Sequence, residues 1–208
     1  MTIDEGYIKY VSRWTQGPAP DAELTAELET WRRPLYAAGL IGHYDELGVG
    51  FGNLSVRAGD ATFVITGTQT GHLDITTGEH YALVTRTDVA SNTVWSSGPV
   101  EASSEAMTHA AIYALSDAIQ AVVHVHSREL WTRYGNVLPT TDAAVAYGTP
   151  EMAAEFARLW SQHRFRNDGL AVMAGHEEGI VSIGTSLREA TKRVLALAGQ
   201  PSGSTGSR

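Results

Sequence analysis

Ala121-Val122-Val123-His124-Val125-His126 is the stretch on which both the fold and the chemistry turn. Its β-branched valines and its position after a helical pattern predict a β-strand. Strand side chains alternate, so His124 and His126 share one face, with Val123 and Val125 expected on the core side. Two imidazoles side by side on a rigid strand form a clamp for a metal ion, and neutral imidazole suits zinc, iron or copper. The same spacing also fits two unrelated surface or hydrogen-bonded histidines. A catalytic zinc site usually takes three protein ligands, so a third must come from elsewhere. The other histidines are His43, His72, His80, His109, His163 and His176. On spacing alone His176 is the best placed of several, because Gly175-His176-Glu177-Glu178-Gly179 follows an apolar run and can turn at a sheet edge.

Outward from this strand, short strands alternate with single helices. The chain up to about residue 42 reads as helical, with Leu24, Leu28, Trp31 and Leu35 on one face and Pro34 as a kink or a break. Residues 48–53 read as a glycine-rich turn, followed by strands near 54–57, 62–66, 81–85 and 92–95. A helix over 103–115 opens at Ser103 with Glu105 in its first turn. Thr149-Pro150, an N-cap followed by proline at the first helical position, opens a helix over 150–161. Strands at 170–173 and 180–183 precede a last helix over 186–198, where Ser186 and Glu189 have capping-box spacing. This order predicts an α/β layer fold, with residues 1–198 as a single domain and a Gly/Ser-rich tail over 199–208 expected to fray.

Composition narrows the function. The 208 residues carry 15 Lys+Arg against 23 Asp+Glu, a net charge of −8, with no basic block to meet a phosphate backbone. There is no cysteine, which excludes disulfides, thiolate metal sites, Fe–S clusters and a Cys nucleophile. No apolar run approaches the ~18 residues of a membrane span. Asp4 and Glu5 interrupt the start, so it does not read as a signal peptide and a cytoplasmic protein is expected.

Further chemistry clusters near the strand. Ser103-Ser104-Glu105 puts two hydroxyls and a carboxylate at a helix start, a place that favours acidic side chains and also binds anions. His109, one turn on, reads as a structural partner of that helix. Gly48, Gly50 and Gly52 form G-x-G-x-G rather than G-x-G-x-x-G and precede a strand, which argues against a nicotinamide cofactor. With Asn53, Thr66, Thr68, Thr70 and Gly71, this loop offers donors to a small anion, or serves only as a turn.

Taken together these pieces resemble the class II aldolase/adducin family. The matching features stand in family order: Gly52-Asn53-Leu54-Ser55-Val56-Arg57, Ile65-Thr66-Gly67-Thr68, Ser103-Ser104-Glu105 with His109, Val122-Val123-His124-Val125-His126-Ser127, and His176 with Gly179-Ile180-Val181. The resemblance implies a three-layer α/β/α fold around a central, largely antiparallel sheet. It implies a zinc ion (or Mn2+ or Fe2+) on His124, His126 and His176, and Glu105 as the acid/base residue. It places Asn53, Thr68, Gly71, Ser103 and Ser104 around the phosphate or equivalent anion. It also implies a homotetramer with active sites between subunits, and a small hydroxy-ketone or aldehyde substrate cleaved or formed by aldol chemistry through an enediolate.

The glutamate at 105 resembles the aldolases and dehydratases more than the epimerases. Epimerase, dehydratase and decarboxylase chemistry on the same metal remain alternatives, as does a non-catalytic adducin-head-like module, against which the retained histidines and glutamate argue. The sequence also departs from the family pattern. Gly50 replaces a hydroxyl residue, the threonine segment runs longer, and an extra residue lies between His176 and Gly179. The segment between Ser127 and Gly148 is short and lacks the family's tyrosine proton donor, for which Tyr134 and Tyr147 are the candidate substitutes.

Overall fold

The computed structural model describes residues 6–200, so the tail beyond 200 lies outside the described residues. In chain order the elements are β1 (Val11–Gln16), α1 (Ala22–Ala37), β2 (Gly42–Tyr44), β3 (Val49–Phe51), β4 (Asn53–Arg57) and β5 (Phe63–Thr66). Then come β6 (Tyr81–Asp88), β7 (Thr93–Gly98), α2 (Ala106–Tyr113), β8 (Ala121–His126) and α3 (Arg128–Tyr134). The chain continues through α4 (Pro150–Ser161), α5 (Arg164–Asp168), β9 (Leu170–Val172), β10 (Gly179–Gly184) and α6 (Leu187–Ala198).

Eight strands form one sheet in the order β1-β7-β6-β5-β4-β8-β10-β9, antiparallel throughout except where β1 runs parallel to β7. Apolar clusters cover both faces. Leu28 and Leu35 of α1 and Leu187 and Val194 of α6 pack on one side with Val123 and Val125. Met107 of α2, Phe156 of α4 and Phe165 of α5 pack on the other with Val122. This is the expected three-layer arrangement, with β8 near its middle.

Local chemistry accounts for several boundaries. The Asp21 carboxylate accepts from the Glu23 and Leu24 amides and starts α1. Thr149 caps α4 through the Met152 amide, with Pro150 at the first position, where a missing N–H costs nothing. The Ser186 hydroxyl caps α6 through the Glu189 amide, while the Glu189 carboxylate turns back to the Thr185 amide and hydroxyl.

Four expectations need correction. Residues 11–16 are a strand and not part of a helix; β1 is held by pairing with β7, a partner far along the chain. The first helix runs through Pro34 as one element, since α1 is buried along Leu28 and Leu35 on both sides of it. Residues 49–51 are a strand paired with β2 in a separate two-stranded hairpin, and not a bare turn. The helix expected over 103–115 is shorter, so Glu105 is the N-cap of α2 and no acidic residue lies in its first turn. As expected, Val123 and Val125 face a core, and the other side of β8 is covered too, so all six of its residues are buried.

Candidate metal centre and anion pocket

His124 and His126 point from β8 into the α2/α4 layer, and His176 reaches them from the turn between β9 and β10. All three are buried, at 1%, 3% and 4% exposure. Each offers a ring nitrogen within 4.8 Å of the others'. The Nε2 atoms of His124 and His126 are 3.0 Å apart, and the rings of both lie within 5.0 Å, centroid to centroid, of His176. Two nitrogens on one tetrahedral zinc ion sit about 3.3 Å apart, so this donor set fits a divalent cation. Burial lowers His124 to about 4 and holds His126 well below the ordinary imidazole value. The clamp is therefore neutral at pH 7, the state a metal ligand needs.

Glu105 joins the cluster from the start of α2. Its carboxylate is 1% exposed, and Oε1 stands 3.2 Å from His176 Nδ1. Burial works to raise this carboxyl, but the facing His176 and His124 outweigh it and hold the group at about 2. An ionised carboxylate is thus kept dry beside the three imidazoles.

The predicted anion residues also converge. Asn53, Thr68, Gly71, Ser103 and Ser104 line one small cavity together with Gly50 and Gln69. Asn53 pairs across the β4–β8 ladder with His124, which sets this cavity beside the metal cluster. Asn53 Oδ1 is buried with no hydrogen-bond partner, an orphaned acceptor facing the site. Two strand-end segments frame the cavity, where the Ser103 amide donates to the Thr66 carbonyl and the Thr68 amide to the Glu101 carbonyl. Gly71 is required here: a Cβ on it would lie 2.2 Å from the Gly42 carbonyl oxygen of the hairpin. Beneath the loop, the buried Arg32 donates to the carbonyls of Thr70, Leu73 and Asp74 and anchors it to α1. Gln69, at φ 58°, accepts from the Gly50 amide at 3.3 Å and so occupies one donor of the glycine loop.

The other singled-out residues separate. His109 is fully buried, with Nδ1 2.7 Å from Ser55 Oγ, which also meets the Tyr113 hydroxyl at 2.8 Å. Tyr134 packs on the α1/α6 side of the sheet and donates to Gln200 Oε1, so it does not reach the histidines. Tyr147 does: its ring stacks on His176 at 4.3 Å, and its hydroxyl engages the Tyr7 backbone.

A family model, the class II aldolase and adducin N-terminal domain, matches residues 35–199. The chain belongs to the class II aldolase/adducin family. No curated protein matches it in a sequence comparison. Solved structures share the fold of this family member at low identity. L-fuculose-1-phosphate aldolase from Thermus thermophilus aligns at 21% identity over 86% of this chain and 90% of its own, with a TM-score of 0.61. YgbL from Klebsiella pneumoniae aligns at 22% over 85% of each chain, with a TM-score of 0.63. The sugar-phosphate aldolase from Thermotoga maritima aligns at 16% over 85% of this chain and 90% of its own, with a TM-score of 0.59. What these solved structures share with the chain is the layered α/β architecture.

Sequence reasoning missed Tyr44 and Glu178. The Tyr44 hydroxyl contacts both His126 and Glu178. For Glu178 the only trace was the extra residue between His176 and Gly179, which did not single it out from Glu177; for Tyr44 there was none, since it sits on a hairpin whose place is set by tertiary packing.

Proposed function

We propose that the chain is a metal-dependent lyase of the aldolase type, which makes or breaks a carbon–carbon bond beside the carbonyl of a small polyhydroxylated ketone or sugar. The observation that carries this reading is the convergence of three buried imidazoles with a buried carboxylate 3.2 Å from one of them. Zinc on His124, His126 and His176 would supply Lewis-acid stabilisation of the negative charge that develops as an enediolate.

The chain's own residues do the rest. Glu105, ionised and set against the imidazole cluster, takes the α-proton and returns it. Asn53, Ser103, Ser104, Thr68 and Gly71 orient the far end of the substrate from the adjoining cavity. Tyr147 holds the His176 ring by stacking on it. The same reading takes the protein as a cytoplasmic homotetramer with active sites between subunits, as the family resemblance suggests.

Solvent-deuterium exchange at the α-carbon tests the proposal, with dihydroxyacetone and its phosphate as probes. Exchange is expected with zinc-loaded protein and not after chelation. Absence of metal-dependent exchange with either probe, and with a wider panel of hydroxy-ketones, would refute the reading. Product analysis then separates aldol cleavage from epimerisation, dehydration and decarboxylation.

A further inference from the structure

We propose that Tyr44 and Glu178 are positioning residues for the metal centre: Glu178 holds the Tyr44 hydroxyl, which fixes the His126 imidazole with its proton on Nδ1 and its Nε2 lone pair toward His124. This rests on the metal reading above and concerns residues outside the ligand set. Tyr44 Oη lies 2.7 Å from Glu178 Oε2 and 3.2 Å from His126 Nδ1. On its other oxygen, Glu178 pairs with the Arg128 guanidinium at 2.9 Å.

Proton accounting gives the direction of each bond. A carboxylate paired with an arginine only accepts, so the Tyr44 hydroxyl must donate its single proton to Glu178. The phenol oxygen is then left as an acceptor, and only an Nδ1–H on His126 can complete the second contact. With that tautomer the His126 lone pair sits on Nε2, the atom 3.0 Å from His124 Nε2. An outer partner that sets tautomer and ring angle in this way raises the affinity of a ligand histidine for its metal. Phe51 confines the arrangement, with its ring 4.5 Å from that of Tyr44 and 5.5 Å from that of His126.

The backbone supplies a second, independent observation. Glu178 has φ 70°, in the left-handed region that favours glycine. It is one of the two glutamates between His176 and Gly179. A strained, non-glycine residue that directs its carboxylate at a ligand's partner is what a functional constraint at that position would produce. The Glu178 carbonyl further accepts from the Ser127 amide at 3.0 Å, which ties this turn to the end of β8 directly after His126.

The test compares metal-free wild type, Tyr44→Phe and Glu178→Gly in zinc titrations against a chromophoric chelator, with thermal unfolding of each metal-free protein. Both variants are expected to bind zinc about 10–100-fold more weakly. Metal-free Glu178→Gly is expected to melt at or above wild type, because glycine relieves the left-handed conformation. A wild type that binds no zinc would overturn the metal reading and this inference with it. Zinc affinities within twofold of wild type in both variants would overturn the inference alone. Matching losses of zinc affinity and of metal-free stability in both variants would also overturn it, since the two residues would then act by packing.

Discussion

The Nδ1 atom of His176 stands 3.2 Å from Oε1 of Glu105, and both side chains are almost wholly buried. This contact joins the turn before β10 to the N-cap of α2, and it sets an ionised carboxylate against the imidazole cluster. Glu105→Gln keeps the shape and removes the base. Zinc content should be unchanged, while metal-dependent α-proton exchange falls by about 10²–10⁴-fold. Exchange at the wild-type rate in a zinc-loaded variant would take Glu105 out of the chemistry.

Chelation should destabilise the wild type, because a ligand bound only by the folded state adds RT ln(1 + [L]/Kd) to its stability. At zinc a hundredfold above Kd this is about 2.7 kcal/mol. His126→Ala and His176→Ala should lose this zinc-dependent part of the melting temperature. A zinc response of wild-type size in both would disprove the site.

His109 predicts an acid limit. Burial lowers it to about 3, whereas in the unfolded chain an imidazole protonates near 6.5. Between these values the unfolded state holds one more proton than the native state, so stability is full above about 6.5 and is lost as pH falls toward 3. For one such proton the loss is about 1.4 kcal/mol per pH unit. Urea unfolding of metal-free protein from pH 7 to pH 4 should therefore fall more steeply in wild type than in His109→Gln, which can keep the Ser55 hydrogen bond. Parallel slopes would show that His109 is not held neutral.

Gly71→Ala should disturb the anion cavity and the fold together. A methyl group there would meet the Gly42 carbonyl and the Gly50 backbone, so the hairpin and the loop cannot both stay in place. Overpacking of this kind costs about 1–3 kcal/mol. Denaturant unfolding measures it, and an unchanged midpoint would show that the hairpin yields freely.

Arg32→Met keeps the apolar stem but strips the donors from the carbonyls of Thr70, Leu73 and Asp74. Hydrogen bonds from a charged donor contribute about 1.5–3 kcal/mol each, so a loss of about 2–4 kcal/mol is expected after the loop relaxes toward water. Calorimetric unfolding of the variant checks this.

Where structure follows from neighbours along the chain, the amino-acid sequence was enough. Val122, Val123 and Val125 make a strand by side-chain shape, and alternation alone puts His124 and His126 on one face. Thr149 with Pro150, and Ser186 three residues before Glu189, set their helix starts through bonds to amides within one turn. The motif order also carried the family and the layered fold. The tertiary structure decided what depends on distant partners. Val11–Gln16 is mostly exposed, so it lacks the alternating burial pattern of a half-buried strand, and only its pairing with β7 makes it one. Of the six histidines outside β8, His176 is brought to the clamp by the β8–β10 register, in which Gly179 lies opposite His126. Tyr44 reaches His126 because the hairpin packs against Gly71, where a glycine lets two backbones touch. Periodicity and capping act over a few bonds and leave a trace in local sequence; strand register and side-chain convergence are settled by packing between segments, which leaves none.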